Sequence, residues 1–245
     1  MRNLTIISSN VSLIASFLFY RFIRLKPSSK ILLNFILFFG LVFGQSRSDI
    51  QIFDHNKTKM VRNYYDSGAL KEEGKKSGSL KIGPWIHWRE NGEKYLMENY
   101  VDGKKDGSQI TWHDNGELST RHEYEKGLKN GIFVAWYDNG NKKQTGTFIN
   151  DLKNGTMSYW YDNGQIWMQE NYKMGKKHGL MIGWYKNGKK SIQQNWKNDR
   201  KNGSHLMWYS NGVKKEEGVM SDGKEVGRWI YYTDNGNVNK ELDHD

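Results

Sequence analysis

Residues 132–155 read IFVAWYDNGNKKQTGTFINDLKNG, and the stretch recurs every 24 residues in both directions. Its Asn-Gly glycine belongs to a column, Gly68, Gly92, Gly116, Gly140, Gly164, Gly188, Gly212 and Gly236, with no slip in spacing. A second glycine column runs Gly83, Gly107, Gly131, Gly155, Gly179, Gly203, Gly227. An aromatic column runs Tyr64, Trp88, Trp112, Trp136, Trp160, Trp184, Trp208, Tyr232. A fixed period of about 20–50 residues marks a stacked array, in which each unit buries its faces only against its neighbours.

Each unit reads as two strands and two turns. Asp138-Asn139-Gly140 follows an aromatic run, and Asn-Gly there is a strong signal for a two-residue hairpin turn, since both residues accept positive φ. Gly127–Gly131, GLKNG, reads as a second, longer turn. The runs between carry β-preferring residues such as Ile132, Phe133, Val134, Thr145 and Phe148, with no competing helical stripe. A two-residue loop sets Trp88 opposite Tyr95 and Ile86 opposite Met97. Through the longer turn, Met97 would then meet Trp112. This register puts the Trp column on one face. The other face gathers Tyr100, Tyr124, Phe148, Tyr172 and Trp196 beside Trp85, Phe133, Met157, Met181 and Trp229. A tight loop of odd length would change these assignments.

The fold class that follows is all-β, a repetitive single-layer antiparallel meander of about fourteen to sixteen strands over residues 61–241. A single sheet has no second layer and hence no ordinary core. The column Trp88, Trp112, Trp136, Trp160, Trp184 and Trp208 is expected to substitute for one, and removing an interior member such as Trp160 to cost about 3–5 kcal/mol if it is packed like a core residue.

Composition agrees with an ordered chain. Hydrophobic residues make up only 36%, but aromatics reach 14%, which a disordered chain would not carry. The absence of cysteine removes disulfides, thiol chemistry, Cys-based metal sites and lipidation at a lipobox, and leaves the redox compartment unread. The net charge is +10, of which Arg2, Arg21, Arg24, Lys26 and Lys30 supply half within residues 1–44. That segment contains ILLNFILFFGLVF at 31–43, a hydrophobic helix short for a membrane span, with the small residues Val42 and Gly44 at signal-peptidase spacing at its end. It reads as a signal peptide with an extended N-terminal region and a mature chain beginning at Gln45. With Leu13–Tyr20 as a further apolar run, a membrane anchor is the alternative. Both place the repeats outside the cytoplasm, in the periplasm or cell envelope. Residues 45–60 form a polar linker with a short strand at Ile50–Phe53, and 242–245 a tail.

No residue pattern points to catalysis. The seven histidines share no column, and there is no phosphate loop and no GxSxG. The acids Asp66, Glu90, Asp114, Asp138, Asp162 and Asp234 sit beside the Asn-Gly turn and read as side-chain caps of that bend. The expectation is a protein that is not an enzyme, with no cofactor, metal, nucleic acid or small-molecule substrate. The candidate binding edge is basic: Lys81, Lys105, Lys129, Lys153, Lys177 and Lys201 hold one place in successive longer turns, joined by Lys104, Lys176 and Arg200. Such a row suits an anionic surface, or serves only to solvate the turns.

The columns also carry a resemblance. Glycine, a spacer, an aromatic, then an aromatic-Tyr/His-acid-Asn-Gly run resembles the MORN repeat, and more closely the variant in bacterial proteins of the YwqK antitoxin type. The resemblance covers 61–241. It implies a meander of antiparallel hairpins and a role in protein association or membrane recognition, with no catalytic residues. The end units depart from the pattern, with Ser67 for Asn, Lys76 in the Tyr100 column and Tyr232 for Trp, as capping units do. The expected function is non-enzymatic binding or scaffolding of a protein partner along the sheet. An anionic membrane surface at the basic edge, or a polysaccharide on the aromatic face, is the alternative.

Overall fold

The computed structural model describes residues 58–245. The N-terminal hydrophobic helix with its signal-peptide or anchor role, the strand at Ile50–Phe53 and residues 45–57 of the linker lie outside the described residues. Residues 58–245 form one antiparallel sheet of nineteen strands, from Thr58–Tyr64 to Val238–His244, in which sequence neighbours pair. Three of the nineteen, Lys104–Lys105, Leu152–Lys153 and Lys176–Lys177, are two-residue stubs that a bulge separates from the arm they begin. Counted as hairpin arms, the meander has sixteen.

The two turns exchange the geometries that their sequences suggest. At the Asn-Gly turn the amide of Arg89 donates to the Glu93 carbonyl, and the amide of Gly92 to the Arg89 carbonyl, so the loop has three residues, Glu90 to Gly92. Only Gly92 has positive φ, at 87°. This is a type I turn closed by a glycine bulge, which needs one left-handed residue where a two-residue turn needs two. The GLKNG-type segment holds the two-residue turn instead. There Asp102 and Gly103 both take positive φ, 47° and 77°, and Val101 pairs with Lys104. Asn150-Asp151 and Asn198-Asp199 make the same turn without glycine, as short polar side chains allow.

These exchanges correct the expected register near the turns and preserve it elsewhere. Trp88 faces Lys94, not Tyr95, because a bulge absorbs the odd residue of the loop, and Ile86 still faces Met97. Met97 faces Ile110, not Trp112. At the other turn the pairing shifts by two residues between Tyr100–Lys105 and Met97–Ile110, and the Asp106 amide bonds the Asn99 carbonyl across the gap. A shift of two leaves every side chain on its own face, so the expected division of the faces holds.

The expectation of no core does not hold. Trp85 and Trp229 are each 1% exposed and Met157 is 0% exposed, all on the face opposite the Trp column. They are covered because small residues stand across the hairpin from them. Trp85 pairs with Gly74, and a Cβ on Gly74 would lie 2.3 Å from the indole. Gly218 stands in the same relation to Trp229, and a Cβ on Gly146 would lie 2.0 Å from the Met157 sulfur. These glycines are three units apart, so side chains fold flat along the sheet and close a row over it. Phe133, Ala135 and Met157 are its centre, flanked by Phe148, Tyr159 and Tyr172.

Both edges are stapled. Tyr137, Tyr161 and Tyr185 donate their hydroxyls to the carbonyls of Trp160, Trp184 and Trp208, each one unit on, at 2.6–2.9 Å. Asn115, Asn139, Asn187 and Asn211 reach the next turn in the same way, and their Oδ1 atoms cap their own turns. The side-chain cap expected of the acid column is therefore made by asparagine, while carbonyls of that column, such as those of Asp138 and Asp162, accept from the preceding turn. At the opposite edge the amides of Gly103, Gly127 and Gly175 bond the carbonyls of Lys81, Lys105 and Lys153.

Candidate functional site

The two faces differ in kind. On the closed face, the six recurring lysines do not stand out from the edge. All are half-buried, and five direct their ammonium groups over aromatic rings one unit on. Lys81 lies 5.3 Å from the Tyr100 ring centre, Lys105 5.2 Å from Tyr124, Lys129 5.5 Å from Phe148, Lys153 4.8 Å from Tyr172 and Lys177 4.9 Å from Trp196. Lys81 also caps Trp85 at 4.0 Å. Lys201 pairs with Trp196, and the next place in the ring column is Met220, where the alternation ends. A cation over a ring gains about 0.5–1 kcal/mol where exposed and more where desolvated. The row is thus an internal ladder of cations and rings. Lys104, Lys126, Lys173 and Lys176 are among the exposed charges of this edge, with Lys197, Lys224 and the Arg200–Asp222 pair further along it.

Two carboxylates are buried within the ladder. Glu98 receives Lys105 at 2.6 Å, the Tyr100 hydroxyl at 2.8 Å and Gln109 at 3.2 Å. Glu170, three units on, receives Lys177 at 2.6 Å and the Tyr172 hydroxyl at 2.8 Å. Burial pushes each carboxyl up, but the lysine and tyrosine hydrogen bonds outweigh it, and both end below the usual range. The tyrosines respond in the opposite sense. Burial and the Glu170 charge hold Tyr159 up at about 12, and Tyr100 and Tyr172 are also raised. The sequence offers a signal for this arrangement, the shared string ENY-x-x-GKK at 98–105 and 170–177.

Between these carboxylates, in the same column, stands His122, stacked on Phe133 with ring centres 4.4 Å apart. Burial, then Lys129 and Lys105, lower it to about 4. The folded chain keeps it neutral, while the unfolded chain protonates near the ordinary value of about 6.5. Its contribution is therefore complete above about 6.5 and is lost as pH falls from there to about 4. Exchange to the residue three units on, His122→Gln after Gln194, should flatten the loss of thermal stability between about pH 7 and 4.5. An unchanged pH profile of melting would remove His122 as the cause.

The tryptophan face is open. Trp88, Trp112, Trp136, Trp160, Trp184 and Trp208 are all half-buried on it, and no two of them stack among the described residues. Their neighbours across the hairpin are Lys94, Leu118, Lys142, Ile166, Lys190 and Lys214. Lys190 lies 5.8 Å from the centre of the next ring, Trp208, and Lys214 5.9 Å from Tyr232. A second row, Ile86, Ile110, Val134, Ile182, Leu206 and Ile230, runs beside it, half-buried, with the buried Ser158 interrupting it between Val134 and Ile182. Leu118 and Ile132 are exposed, Ile132 by 63%. Single exposed apolar residues are ordinary, but an apolar patch that extends along the whole row of tryptophans marks an interaction surface.

Comparison with known families adds one identification. Residues 129–150, 153–174 and 177–198 match the MORN repeat variant. No curated protein matches the chain. The matched segments hold the same turns and staples as the units on either side, so the three matched units are MORN-variant repeats set within a longer run of like hairpins.

Proposed function

We propose that the chain is a non-enzymatic binding scaffold, exported to the cell envelope, that receives a protein partner along its tryptophan face. The observation that carries this is the contrast of the faces. One face closes over itself with glycines, stacked rings and paired charges, while the other leaves an unbroken row of tryptophans, beside an aliphatic row that only Ser158 interrupts, with nothing above them in a single-layer sheet. The MORN repeats support a scaffold or binding role. The antitoxin resemblance adds a candidate class of partner and no surface of its own.

Pull-down from envelope extract tests it with two charge variants of the full chain. L118E/I132E alters exposed residues of the tryptophan face, and K104E/K126E/K173E/K176E reverses the outward edge charge. Loss of the partner with the first variant and retention with the second is the expected outcome. Loss with the second only, together with loss of binding to anionic vesicles, would move recognition to the basic edge, where each lysine gains about 1 kcal/mol near an anionic membrane. Retention of a bound envelope polysaccharide and no protein would leave the alternating tryptophans and lysines as a saccharide-stacking row instead.

A further inference from the structure

Among the described residues the sheet ends in two strands paired on one side only, and the repeat register makes them complementary. Thr58–Tyr64 is the first arm of its hairpin and Val238–His244 the second arm of the last. Within the array every second arm pairs with the first arm of the following unit, as Glu217 pairs with Ile230. One period further on, the position of Glu217 is Glu241, and the position of Ile230, carried forward one unit and back eight, is Arg62. We infer that the chain associates head to tail with copies of itself, the last strand of one pairing with the first strand of the next.

The side chains at that junction fit. Arg62 pairs within its own chain with Glu73 at 2.9 Å, and Glu241 with Arg228 at 2.8 Å. Joined in the repeat register, the four stand across successive strands as Arg228, Glu241, Arg62 and Glu73, with signs alternating. The first strand carries Lys59 and Arg62 and no acid. The last carries Glu241 and Asp243 against Lys240, so the edges attract. On the closed face, Leu242 comes beside Val61, both half-exposed now, and extends the buried row by one apolar pair. The staple at this seam is weaker than inside. Thr233 replaces the tyrosine whose hydroxyl would reach across, and its hydroxyl bonds its own turn instead. A seam of one strand pair with a weak staple describes reversible assembly. Because the two edges differ, the contact does not close on itself as a two-fold dimer does; it leaves a free edge at each end and grows.

The absence of cysteine makes the register testable by disulfide trapping on the full chain in mild detergent. Directly opposed residues of antiparallel strands have Cα atoms about 4.5–5.5 Å apart, within disulfide reach. Arg62 and Glu241 are exposed, so R62C and E241C give up only surface ion pairs of small worth. With diamide as oxidant, an R62C chain mixed with an E241C chain should give a cross-linked pair, while either alone stays single. The double variant R62C/E241C should give a ladder of multimers, and N63C, whose side chain lies on the other face, should cross-link poorly to E241C. In parallel, the sedimentation mass of the unaltered chain should rise with concentration and fall with added salt. Self-cross-linking of either single variant as fast as the mixture would mean a like-with-like contact and overturn the proposal. So would a constant mass with no cross-linking, the result expected if residues before Thr58 cover the first edge.

Discussion

Trp85→Ala is expected to cost about 3–5 kcal/mol, and Trp88→Ala, three residues along the same arm, about half of that or less. The two side chains are alike, and the faces are not. Trp85 is 1% exposed, lies flat on Gly74, donates its indole N–H to the Lys75 carbonyl at 3.1 Å and is capped by Lys81. Its removal opens a cavity that Gly74 has no side chain to fill. It also leaves the Lys75 carbonyl without the indole donor and deprives Lys81 of its ring. Trp88 is half-buried on the open face, with Lys94 opposite, so its truncation removes only the area already hidden. Denaturant titrations of the two variants and the unaltered chain, followed by loss of strand signal, give the comparison. Equal losses would return the load to the tryptophan column and would mean that the glycine-backed row is not the core.

That comparison also shows where the sequence was transparent. Period, strand identity and the division into faces followed from spacing alone, because spacing is a property of the backbone and each unit repeats it. Turn type did not follow. Asn-Gly serves both a two-residue turn with two left-handed residues and a three-residue turn with one, and only pairing beyond the loop distinguishes them. The face division survived because the odd loop is offset by a bulge at Tyr95 and the other turn shifts the register by two. The buried row was hidden for another reason. Trp85, Gln109, Phe133, Met157, Met181, His205 and Trp229 share a column but no chemical type, so no column statistic marks it. Its signature is a complement across the hairpin, with a glycine at 74, 146 or 218 opposing a large side chain at 85, 157 or 229. The lysines misled in the same way. Recurrence at the turn edge was visible, but whether they point outward depends on the ring nineteen residues ahead, as at Lys105 and Tyr124.

The second large effect is expected at Glu170. Glu170→Ala should cost about 3 kcal/mol at neutral pH, the lower end of the range for breaking a buried pair. The carboxylate itself is 6% exposed, so its loss strands the Tyr172 hydroxyl, but Lys177 keeps a third of its side chain in water and can resolvate. Lys177→Ala should be comparably damaging, since it leaves the carboxylate buried with one hydroxyl donor. In the double variant E170A/K177A neither charge is stranded, and the loss should fall short of the sum by more than about 1 kcal/mol. The exposed pair Arg200–Asp222, at 2.5 Å, should show a coupling of about 0–1 kcal/mol in the same cycle, although its contact is as short. The pH dependence separates this group from His122. The folded pKa of Glu170 is lowered, so its stabilisation is present above the unfolded value of about 4.5 and is lost as pH falls through the folded one. Melting of the unaltered chain should therefore weaken in two steps, the first from about pH 6.5 that His122→Gln reduces, with half-buried His87 supplying part of what is left, the second below about 4.5 that Glu170→Ala reduces. Strict additivity of E170A and K177A, with the acid step intact, would show that the ion pair adds nothing that the rings around it do not already supply.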